Sequence, residues 1–199
     1  MVSVMKTTRR YTMTTRAEAA ERTRLRILDA AVALASTKLL AEISLDDIAT
    51  RADVSVQTLL RRFGSRAALL EAAREHAVAQ VAEERRTPAG DVDAAVRVVV
   101  DHYERRGDGV VLMLAQEHSD AAVRTITTSG RAVHRAWVTE AFAPYLPRDG
   151  DEREVLVDLL GVATDVYTWK QLRRDHGFER TRTEAHMNRL VRALLPHAP

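Results

Sequence analysis

The chain contains no cysteine. Disulfides and thiolate metal sites are therefore excluded, and a reducing, cytoplasmic setting is expected. Only 8 glycines and 5 prolines occur in 199 residues, too few turn-formers for a many-stranded β protein. Aromatic residues amount to 5%. No apolar run nears the roughly 18 residues of a membrane-spanning helix, and "VSVMKTTRR" is too short and polar for a signal-peptide core. No membrane partner is expected. Also missing are H-E-x-x-H, a P-loop, G-x-S-x-G and a G-x-G-x-x-G after a strand. His102, His118 and His134 show no ligand spacing within a helix. "QEHSD" crowds Glu117, His118 and Asp120 together, but a helix end accounts for them. Neither an enzyme, a cofactor nor a metal is expected.

What is present favours helix. Alanine, leucine, valine, arginine and glutamate dominate, and 46% of residues are apolar. The net charge of +2 is uneven: residues 1–66 hold 12 Lys and Arg against 7 Asp and Glu. A basic front and a mildly acidic back suggest that the front meets a polyanion. The bland alternative is chance.

Residues 1–15 read as a loose basic arm, where Arg9 and Arg10 precede the first helix. Helix 1 is expected from Arg16 to about Lys38, with Ile27, Leu28, Ala31, Leu34 and Ala35 on its apolar face. Ser44 and Asp47 make a capping-box-like start to a second helix, whose buried face is Leu45, Ile48, Ala49 and Ala52. Asp53 suits a left-handed turn. Ser55 suits the N-cap of a third helix, Val56 to about Phe63. Gly64 ends it and Ser65 caps the next, which runs to about Arg86. Later helices are expected near 91–105, 109–118, 120–143, 150–176 and 181–195, with "GDG", "YLPRDGD" and "HGFE" among the breakers.

Two short helices joined by a tight turn form a helix-turn-helix. Leu59 and Phe63 share one face of the second. That leaves Gln57, Leu60 and Arg61 outward, flanked by Thr58 and Arg62. Gln reads an adenine edge and Arg a guanine edge in the major groove. Thr58, Arg62, Ser65 and Arg66 suit phosphates. An ordinary solvated face fits the same spacing.

The run "RILDAAVALA…SLDDIATRADVSVQTLLRRFGSRAALL" resembles the DNA-binding domain of TetR-family transcriptional regulators. Their pattern is roughly I-L-x-A-A, then T-x-x-x-I-A-x-x-A-G-V-S-x-G-T-L-Y-x-H-F-x-S-K-x-x-L. The resemblance covers about residues 22–70. It implies an all-α fold with a helix-turn-helix domain over 16–66 and a helical regulatory and dimerisation domain over 67–199. By resemblance Ser44 caps helix 2 and touches phosphate, and Ser55, Val56, Gln57 and Thr58 open the recognition helix. Arg62 stands at the family's histidine and Arg66 at its lysine. Leu60 replaces a tyrosine, Gln57 and Asp53 replace glycines, Ala35 a phenylalanine and Leu39 a glycine. Arg24, near the start of helix 1, is a further phosphate contact.

In "REVLVDLLGVATDVYTWKQLRRD" apolar residues occupy more than one helical face, as in a helix buried on several sides. The resemblance implies a homodimer through the last two helices, with Met187, Leu190, Val191, Leu194 and Leu195 on the second. Two recognition helices about 34–36 Å apart would then read a palindromic double-stranded operator. It also implies a small-molecule effector pocket. Lining expectations are His102, Leu112, Met113, Gln116, His134, Trp137, Phe142 and Tyr167, which combine apolar bulk with polar handles. The rival readings are a helical enzyme and a protein-binding regulator with a vestigial head.

Overall fold

The computed structural model describes residues 5–195, with side chains from residue 17 onward. Every regular element among them is helical: α1 (Met5–Ala35), α2 (Leu45–Ala52), α3 (Val56–Phe63), α4 (Arg66–Glu84), α5 (Val92–Gln116), α6 (Ala121–Ala141), α7 (Gly150–Ala163), α8 (Val166–Lys170) and α9 (Arg180–Leu194). Two compact units form. Among the described residues one comprises 5–38 and 42–76, the other 39–41 and 77–195. The division falls inside α4, ten residues beyond the domain boundary expected at Arg66.

In the first unit α1 packs on α2, and α2 on α3. Ile27, Leu28, Ala31, Leu34, Ile48, Ala49, Ala52 and Leu59 are buried, as the helical stripes placed them, while Ala35 and Leu45 are half-buried; Leu69 on α4 is buried as well. The caps form as their residue types dictate. Ser44 Oγ accepts from Asp47 N–H while the Asp47 carboxylate accepts from Ser44 N–H, a complete capping box. These bonds and Lys38 hold the Asp47 carboxyl below the usual carboxylate range. Asp53 is left-handed, with φ 52°. Ser55 caps α3, and Gly64 ends it at φ 79°. Ser65 Oγ accepts from Ala68 N–H to start α4.

Three expectations need correction. Helix α1 begins at Met5 rather than near Arg16, so the loose arm does not extend past residue 4; residues 1–4, with the rest of that expectation, lie outside the described residues. No glycine or proline interrupts 5–35, and once a helix is nucleated each further turn propagates cheaply. Second, α5 runs unbroken through "RGDGV", because Gly107 is buried beneath Trp169. A Cβ there would lie 2.6 Å from the ring's Cη2, so this glycine serves a close approach and not a break between helices. Third, the segment 150–176 is not one helix. It breaks at Thr164, where Asp165 caps α8 through Tyr167 N–H, and then widens into a π-helical turn, Gln171–Asp175.

In the second unit α5 is central, packed against α6, α8 and α9. Its core gathers Val96, Val99, Val100 and Tyr103 with Val138, Phe142, Leu160, Trp169, Met187 and Val191. The segment 39–41 belongs here. Leu40 is buried, and its N–H donates to Gln116 Oε1 at 2.9 Å.

Candidate nucleic-acid interface

Helix α3 has eight residues, and only Leu59 is fully buried. Gln57, Leu60 and Arg61 are exposed together, Leu60 at 42%. Val56, Thr58 and Arg62 are half-buried along the flanks. The first turn is tied down: Ser55 Oγ lies 3.0 Å from Thr58 Oγ1 and accepts from Thr58 N–H. Neither Arg61 nor Arg62 forms an ion pair with a described residue, so both positive charges are open to an external anion.

The remaining expected contacts are placed less freely. Arg66 is half-buried, and its Nε donates to the Ile43 carbonyl at 2.9 Å, which fixes the start of α4 to the turn before α2. Arg24 is bonded to Glu21 at 3.3 Å. Ser44 faces its own capping box, and Ser65 is exposed at the start of α4. Arg26 spans from α1 to the Asp53 carbonyl at 3.4 Å and braces the turn between α2 and α3.

The eight residues expected around an effector do not form one cluster. His134 stacks on Trp137 at 5.6 Å, and Trp137 meets Phe142 edge-on at 6.1 Å. His102 adjoins them through Tyr103, 5.3 Å away. Leu112, Met113 and Gln116 lie further along α5, about 15–21 Å from His102 at about 1.5 Å per residue. Gln116 is engaged at both ends, by Leu40 N–H and by the Leu112 carbonyl. Tyr167 is 52% exposed.

Sequence reasoning missed the centre of this cluster, Arg85, which is 5% exposed. It follows the last turn of α4, and its guanidinium carbon lies 5.2 Å from the Tyr103 ring centroid and 5.7 Å from that of Trp137. Its Nη1 donates to His134 Nδ1 at 3.0 Å. His134 is thereby held as the Nε2–H tautomer beside the Gly161 carbonyl. Burial and the Arg85 charge push its pKa down to about 4. Burial and Arg85 also push His102 down to about 3, against the pull of Glu84. Burial raises the Glu84 carboxyl, but hydrogen bonds from Arg106 and His102 outweigh that and bring it to about 2. A signal for Arg85 existed: it continues the four-residue stripe Ala73, Ala77, Val81 along α4.

The residues of "QEHSD" serve helix ends and cross-links. Asp120 caps α6 through Ala122 and Val123 N–H, and Glu117 accepts from Thr127 Oγ1 and Arg131. No cluster of ligand type occurs among the described residues, and no described helix is long and apolar enough to cross a membrane.

Comparison with known proteins agrees with this geometry. Residues 27–73 match the family model for bacterial regulatory proteins of the tetR family. A TetR-family transcriptional regulator from Streptomyces coelicolor superposes with a TM-score of 0.68 at 20% identity, over 87% of this chain and 80% of that one. GusR of Salmonella enterica gives 0.65 at 22% identity, over 87% and 95%. The multidrug binding protein EbrR, complexed with imidazole, gives 0.51 at 22% identity, over 88% and 96%. These identities establish the shared fold. No curated protein matched. The matched segment is that of non-enzymatic DNA-binding regulators, and it spans the helix-turn-helix built by α2 and α3. The chain thus carries a tetR-family DNA-binding domain over residues 27–73 and shares the all-helical fold of the TetR-family regulators it superposes on.

Proposed function

We propose that the chain is a ligand-responsive repressor that binds a palindromic operator as a homodimer in the cytoplasm and leaves it when a small molecule binds the second unit. The observation that carries the DNA part is the outward face of α3. Gln57 and Arg61 stand exposed on a helix whose opposite side is fixed by Leu59, and both side chains make hydrogen-bond patterns that read base edges. Val56 and Leu60 supply apolar contact in the groove. Arg62, Thr58, Ser55, Ser65, Ser44, Arg66 and Arg24 anchor phosphates around it. Arg66 serves this role while also bracing Ile43.

An apolar stripe supports the dimer. Val155, Leu159 and Val162 on α7 and Leu190 on α9 are 45% to 66% exposed, more large apolar surface than these two helices need to leave in water. The effector reading draws on the aromatic and histidine cluster around His102, His134, Trp137 and Phe142, and on the bound imidazole of EbrR.

The test is selection from fragmented genomic DNA with the purified protein at near-physiological salt. Enrichment of a palindrome with half-sites about one helical turn apart is the expected result. Salt-sensitive binding that enriches nothing would overturn the operator reading.

A further inference from the structure

The second unit buries one full positive charge that no described residue compensates. Arg85 is 95% buried by residue, and no described carboxylate lies within ion-pair distance. The nearest acid in sequence, Glu84, is taken by Arg106 at 2.7 Å and His102 at 3.1 Å. The hydrogen-bond partners Arg85 does have, His134 Nδ1 and the Tyr103 hydroxyl, are both neutral. The Arg85 Nε is buried with no partner at all. Among the described residues the other such atoms are the hydroxyls of Thr87 and Thr183, which carry no charge. A buried cation without a counter-ion is costly, and a buried donor without an acceptor adds to that cost. A buried donor left in this state calls for an acceptor from outside the chain, a water, an ion or a ligand.

We propose that Arg85 is the anchoring residue of a site for a small organic carboxylate with a flat, aromatic-sized body. A carboxylate on the Nε edge supplies the missing acceptor and the missing negative charge together, in the fork geometry that guanidinium favours. The rest of the setting selects the body. Tyr103 and Trp137 flank the guanidinium with their rings, and Phe142 meets Trp137 edge-on. His134 and Trp137 are only half-buried, so the cluster reaches the surface along α6. Trp137 is itself fixed by donation from its Nε1 to the Arg85 carbonyl at 2.9 Å, which couples its ring to the residue that meets the ligand. An amine is disfavoured because it meets Arg85 first.

This site deepens the effector part of the proposed function and rests on it for its regulatory meaning, but its occupancy is measurable without DNA. Acetate, benzoate and phenylacetate are titrated by calorimetry against their matched amides, with Trp137 fluorescence as a second readout. Benzoate should bind at least about tenfold more tightly than benzamide, the loss expected when a charge-assisted bond is replaced by a neutral one. Arg85→Gln should lose a similar factor, while R86Q, at the exposed neighbour, leaves benzoate affinity unchanged. Equal binding of benzoate and benzamide overturns the proposal, as does binding by none of the three carboxylates up to their solubility. Should R85Q fail to fold, the acid-against-amide comparison on the unaltered protein still decides. Benzoate binding that leaves operator affinity unchanged supports the site while removing the repressor's response to it.

Discussion

Acidification from about pH 7.5 to about pH 5 should weaken the second unit through His102 and His134. Both are buried as neutral rings, with pKa values pushed from 6.5 to about 3 and about 4. The groups facing them are Glu84, Arg85 and Arg106 around His102, and Arg85, the Gly161 carbonyl and Thr164 around His134. The folded pKa of each lies below the unfolded one. On lowering the pH, the unfolded chain therefore binds protons first, and stability drains from about pH 6.5 down towards the folded values. Near pH 5 an unfolded histidine is almost fully protonated and these folded ones are almost fully neutral. Each then removes about 2 kcal/mol, together about 4 kcal/mol. Glu84, held near 2, adds a further loss only below its unfolded value of 4.5.

Urea unfolding followed by tryptophan fluorescence isolates this unit, because both tryptophans of the chain, Trp137 and Trp169, lie in it. With a slope of about 2 kcal/mol per molar, the midpoint should fall by about 2 M between the two pH values at one fixed protein concentration. His134→Gln, which keeps a polar group without a titration in this range, should remove about half of that fall. A midpoint that moves by less than about 0.5 M, or a fall that H134Q leaves intact, would refute the burial argument.

Other perturbations test separate pieces of the structure. Gly107→Ala forces a methyl group into the Trp169 ring and should cost about 1–3 kcal/mol, read as a drop in thermal midpoint of the second unit. D53G relieves the left-handed backbone at φ 52° and should stabilise the first unit by up to about 1 kcal/mol, seen in circular dichroism melts. Replacing Gln57 and Arg61 together by alanine should abolish sequence preference and spare non-specific binding, whereas Arg62→Ala should weaken all DNA evenly and lower the salt slope by about one. Val162→Glu, at 66% exposure on α7, should leave folding intact and shift sedimentation towards monomer.

The first unit was legible because its signals are local. A capping box spans four residues, a left-handed turn needs one tolerant residue, and the split between Leu59 inside and Gln57, Leu60 and Arg61 outside is set by one helical turn. The second unit hid where the deciding contact is distant in sequence. "RGDGV" reads as a turn until Trp169 is seen lying on Gly107. The break at Thr164 was masked by apolar residues continuing on both sides, although Asp165 followed two residues later by an N–H it could cap was a usable cue. For α1 the polarity of residues 5–15 misled, where the lack of any breaker was the better guide.

Arg85 and Arg86 sharpen the same point. They are identical in type and adjacent in sequence, yet the first is 5% exposed and the side chain of the second 77%. Only phase along α4 separates them. Arg85 extends the stripe that buries Ala73 and half-buries Ala77 and Val81, and Arg86 points away from it. A helix-phase argument thus finds the burial, but the missing counter-charge follows only from two other helices. Glu84 is drawn to Arg106 on α5, His134 on α6 offers a neutral acceptor, and Trp137 and Tyr103 offer rings rather than anions. The proposed DNA-reading function of the head sits on outward side chains at helical spacing, whereas the site proposed in the second unit depends on what fails to assemble around one inward charge. That difference in kind is why a single sequence points to the DNA surface directly and to the effector chemistry only after the chain is folded.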